Sequence, residues 1–89
     1  MQSIEDLSIP KSVLEAKTQA EILRVWIADG DQVVTLSPRM WEDPGAWGLM
    51  LVDIAKHVAA AYEAKGITSD IALQKIRAAM QAEWSNPTN

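Results

Sequence analysis

Cysteine is absent from this 89-residue chain, which excludes a disulfide framework, a thiolate metal cluster and a thiol nucleophile, and suits a reducing compartment. Histidine occurs once, at His57. A metal site needs at least three protein ligands, and no second imidazole or thiolate exists to join it, so no metal or cofactor is expected. No apolar run approaches the roughly 20 residues of a membrane span. The opening "MQSIEDLSIP" carries acids where a signal peptide carries bases, and the cytoplasm is the expected location. Positive charge is also short: eight Lys and Arg against twelve Asp and Glu leave a net charge of −4. The bases, Lys11, Lys17, Arg24, Arg39, Lys56, Lys65, Lys75 and Arg77, are scattered rather than gathered on one face. Counterion release along a phosphate backbone needs such a face, so neither nucleic acid nor an anionic membrane is an expected partner.

What is present is apolar content, 48% of the residues, in a chain too short for more than one domain. A domain of this size buries roughly 60 to 65% of the surface that its unfolded chain exposes, so its stability margin is thin. Residues 1–19 read as an N-terminal arm, interrupted by Pro10, with a short helical turn near Lys11–Lys17. Residues 20–89 read as a single α+β domain. Within it, β-branched and aromatic residues flank Asp29-Gly30, a dipeptide suited to the positive φ angles of a type I′ turn, which predicts a hairpin over 21–37. A two-residue loop sets Leu23 opposite Leu36, Val25 opposite Val34 and Ile27 opposite Gln32, making one face almost wholly apolar. Trp26 with Val33 and Arg24 with Thr35 make the other half polar.

Two helices follow. Asp43 before Pro44 is the arrangement of a carboxylate cap with proline in the first helical position, and Gly66 supplies a left-handed close, so the first helix is expected over 44–65. Trp47, Leu51, Ile54, Val58 and Tyr62 form its apolar stripe, with Leu49 and Val52 lying outside it and needing cover of their own. Thr68, Ser69 and Asp70 open a second amphipathic helix over 69–84, whose core-facing residues include Ala72, Leu73, Ile76, Met80 and Trp84.

Four residues are candidate ligand or interaction positions. Asp53 and His57 stand four apart on one helix flank, where a carboxylate can orient an imidazole for proton transfer. The pair lacks a third member, and no G-x-S-x-G turn supplies a nucleophile, so no catalytic residue is assigned. Trp26 projects from the half-polar sheet face beside Arg24. Trp41 sits two residues before the cap, where it can fold over Trp47. Gly45 and Gly48 lack the lysine and the strand-loop context of a phosphate loop.

Taken together, "EILRVWIA", "WEDPGAWG", "LVDIAKHVAAAY" and the closing "AEW" resemble a bacterial family known as domain of unknown function 5076, from Ala20 to Trp84. The resemblance implies a bacterial, cytoplasmic protein and unity of the fold, and brings no activity, substrate or catalytic residue with it. The fold expected is α+β: an antiparallel β-hairpin, extended by the arm or by a second chain, packed against two α-helices. The expected function is a non-catalytic interaction or assembly module that forms a twofold homodimer. The alternative is a small-ligand-binding or catalytic domain using Asp53, His57 and a nearby tryptophan. The first requires a flat apolar patch and the second a concave pocket beside His57.

Overall fold

The computed structural model describes residues 7–86, which form two compact units dividing between Met40 and Trp41. The architecture is α+β, a β-hairpin in the first unit and a pair of helices in the second.

In the first unit, the Pro10 carbonyl accepts from the Val13 and Leu14 amides and starts a single helical turn, α1 (Lys11–Leu14). The arm contributes no strand among the described residues, and the sheet consists of β1 (Leu23–Ala28) and β2 (Asp31–Leu36). Extension of the sheet by the arm, one of the two sources expected for a further strand, is not found among residues 7–19, and residues 1–6 of the arm lie outside the described residues. Asp29 and Gly30 both have positive φ, 51° and 83°, as a type I′ turn requires. That turn matches the right-handed twist of the strands and sets the register: Leu23 faces Leu36, Val25 faces Val34, Ile27 faces Gln32, and Trp26 faces Val33.

The turn also decides where each backbone group points. Opposed residues in an antiparallel pair alternately exchange two hydrogen bonds and none. Ala28 and Asp31 flank the two-residue loop and exchange bonds, as do Trp26 with Val33 and Arg24 with Thr35. The series continues one step beyond the strands, where the Ser37 amide donates to the Ile22 carbonyl at 3.0 Å. Leu23, Val25 and Ile27 therefore direct their amides and carbonyls away from β2. On the apolar face, Val25, Ile27, Val34 and Leu36 are exposed.

The second unit starts at a cap. Asp43 Oδ1 accepts from the Gly45 amide at 2.8 Å, and Pro44 already has helical dihedrals. The first turn closes through Ala46 to Asp43 and Trp47 to Pro44, so the regular helix α2 runs over Gly45–Ala61, one residue later than expected. Gly45 leaves room for the cap, since a Cβ there would stand 3.2 Å from Asp43 Oδ1. At the other end, the expected span to residue 65 divides: α-helix stops at Ala61, and Tyr62–Lys65 tighten into a 3-10 turn. Gly66 then takes φ 85°, its amide donates to Glu63 and that of Ile67 to Tyr62, the paired bonds of a Schellman close. Thr68 Oγ1 accepts from the Ile71 amide at 3.4 Å and opens α3 (Ser69–Ser85).

Helices α2 and α3 pack on one another, and the only buried side chains among the described residues are Ala59 and Ala72, one from each. The expected stripe has a different fate. Leu51, Ile54, Val58 and Tyr62 are all exposed, and Trp84, assigned above to the core, is 85% exposed. The physical reason lies in side-chain size. Ala59 and Ala55 lie beside the large-residue stripe on α2, and small side chains let two helix backbones approach closely. The buried contact of the two helices is made by alanines, one from each.

Candidate functional site

The candidate residues fall at three places, two in the helical unit and one in the hairpin unit. Asp53 and His57 meet on the flank of α2, with Asp53 Oδ2 3.3 Å from His57 Nε2 and side chains 71% and 79% exposed. Water surrounds both, and an exposed pair at this spacing contributes only about 0.3–0.5 kcal/mol when the imidazole is charged. Neither of the two hollows described below is lined by these residues. Among the described residues, no group of three or more acidic or imidazole side chains is placed to hold a metal ion.

Trp41 and Trp47 form an edge-to-face pair with ring centroids 5.1 Å apart. The chain thus folds Trp41 back over the first turn of α2, next to the Asp43 cap, and both indoles are half-buried. This contact closes the helix start from the outside.

The third place is the outer edge of β1. Arg24 Nε donates to Glu21 Oε1 at 2.7 Å, an i,i+3 ion pair, and the Arg24 guanidinium lies 6.0 Å from the centroid of Trp26. A hollow of about 330 Å³ runs here, walled on one side by Leu7 and Ile9 and on the other by Glu21, Leu23, Arg24, Val25 and Trp26. Residues from both faces of β1 line it and none from β2 does, so it follows the strand edge that faces away from β2. A smaller hollow of about 180 Å³ lies at the open end of the hairpin, between Glu21–Arg24 and Thr35–Ser37. Glu21 was not among the sequence candidates. Its signal was the three-residue spacing to Arg24, a weak one outside a helix. No helix among the described residues is long and apolar enough to cross a membrane.

Fold and site together define a small α+β protein with open apolar faces. The family model for a domain of unknown function (DUF5076) matches residues 6–88, and the chain belongs to that family. It is also similar to a solved structure from the photosynthetic bacterium Rhodopseudomonas palustrus CGA009, described as a "putative pyruvate dehydrogenase". The two are 37% identical, the match covers 100% of this chain and 92% of that one, and the TM-score is 0.77. No curated protein matches the chain.

Proposed function

We propose that the protein is a non-catalytic assembly module that functions as a homodimer. The observation that carries this reading is the amount of apolar surface left open: among the described residues Ala59 and Ala72 alone are buried, while Val25, Ile27, Leu49, Leu51, Val52 and Trp84 are exposed. An apolar surface this large calls for a companion present throughout the life of the chain, and a second copy meets that requirement at every synthesis.

The dehydrogenase description belongs to the relative and does not favour catalysis here. A proton-transfer role for Asp53 and His57 needs an enclosed pocket and a substrate-facing geometry, and both side chains face solvent. Sedimentation equilibrium over a hundredfold range of concentration tests the proposal. The expected mass is that of two chains. The mass of a single chain throughout would overturn it and transfer weight to a ligand-binding domain.

A further inference from the structure

We infer that the dimer forms by antiparallel pairing of β1 with β1 of a second copy, about a twofold axis through Val25, giving a four-stranded sheet. This rests on the homodimer reading and assigns its interface. The hairpin leaves the amides and carbonyls of Leu23, Val25 and Ile27 pointing outward along β1. A strand edge of this kind is a template for another strand, and Leu23–Ala28 contains no proline, glycine or lysine to block it.

A twofold axis perpendicular to the sheet pairs residues whose numbers have a constant sum. Centred on Val25, it sets Leu23 opposite Ile27 of the second copy, Val25 opposite Val25, and Arg24 opposite Trp26. The outward-pointing residues then meet only one another, and every outward amide and carbonyl of both strands finds a partner. Shifting the centre by one residue in either direction leaves an outward residue of each copy without a partner.

The side chains agree with this register. Leu23, Val25 and Ile27 of the two copies make one continuous apolar strip. On the opposite face, Arg24 and Trp26 of the second copy occupy a pair without backbone bonds, where side chains approach most closely. Arg24 already lies near the Trp26 ring of its own strand, and the pairing places a second indole across from it. Leu7 and Ile9 of the arm stand across a hollow from this edge, and the incoming strand would take their place. A pattern complementary to itself in backbone and apolar face favours a second copy over an unrelated strand.

Proline and cysteine variants test the pairing. The Val25 amide points outward, so Val25→Pro spares the ladder to β2 while removing the bonds at the twofold axis. By the same alternation the Val34 amide points outward from β2, and Val34→Pro serves as the matched control on the other edge. Sedimentation equilibrium is expected to give one chain for Val25→Pro and two for Val34→Pro. Two chains for both variants, or the reverse result, would overturn the β1 pairing while leaving the homodimer standing. A one-chain mass for the unmodified protein would instead remove the homodimer itself. Should Val25→Pro fail to fold, Val25→Cys decides. With no other cysteine present, oxidation is expected to give a disulfide-linked dimer, since opposed residues in a bonded pair lie about 5.5 Å apart, within disulfide reach. Val34→Cys should remain a single chain on a denaturing gel. Equal cross-linking of the two, or none at Val25→Cys, overturns the assignment.

Discussion

Asp43 holds the start of α2 by one short hydrogen bond to the Gly45 amide, at a position where a Cβ would stand 3.2 Å from Oδ1. Replacing the carboxylate leaves that donor to water and removes a negative charge from the positive end of the helix dipole. Asp43→Ala is expected to cost about 0.5–2 kcal/mol, read as a lower denaturant midpoint with an unchanged slope. The cap was legible in the sequence because its chemistry is local: Asp before Pro places an acceptor within reach of the first free amides whatever the rest of the chain does. Asp53 and His57 were legible as neighbours for the same reason, since four residues are one helical turn. Their exposure was not, because it depends on what packs against that flank.

At the scale of the element, the hairpin register followed from Asp29-Gly30 alone. Positive φ at both positions admits one turn type, and the turn type sets every pair from Ala28–Asp31 to Leu23–Leu36. The close of α2 is equally local. Gly66 stands at φ 85° with open space where a Cβ would be, so Gly66→Ala meets conformational strain and no steric contact. The expected loss is about 1–2 kcal/mol by chemical denaturation, and Gly66→Asn is expected to lose less, since asparagine tolerates the left-handed region. The apolar stripe of α2 shows the limit of such reading. Periodicity places Leu51, Ile54, Val58 and Tyr62 on one line, but a line of apolar residues has the same signature whether its own chain or another covers it. Trp84 was misread on these grounds.

For the whole molecule, stability belongs to the pair if the chain is a homodimer. The melting temperature is then expected to rise by several degrees for each tenfold increase in protein concentration, in scanning calorimetry or by tryptophan fluorescence. A concentration-independent transition would place the stabilising contacts within one chain.

The two buried alanines carry one more consequence, for time rather than energy. Among the described residues only the side chains of Ala59 and Ala72 are buried, so in a homodimer the partner would supply much of the enclosure that a newly made chain lacks. In a homodimer, formation of the lasting structure waits on an encounter, and its rate varies with the square of the chain concentration. After dilution from denaturant, the half-time should lengthen as the protein is thinned. In a cell, chains of such a dimer made in small numbers would remain open to proteases until they meet, and the amount that survives would fall faster than the amount synthesised.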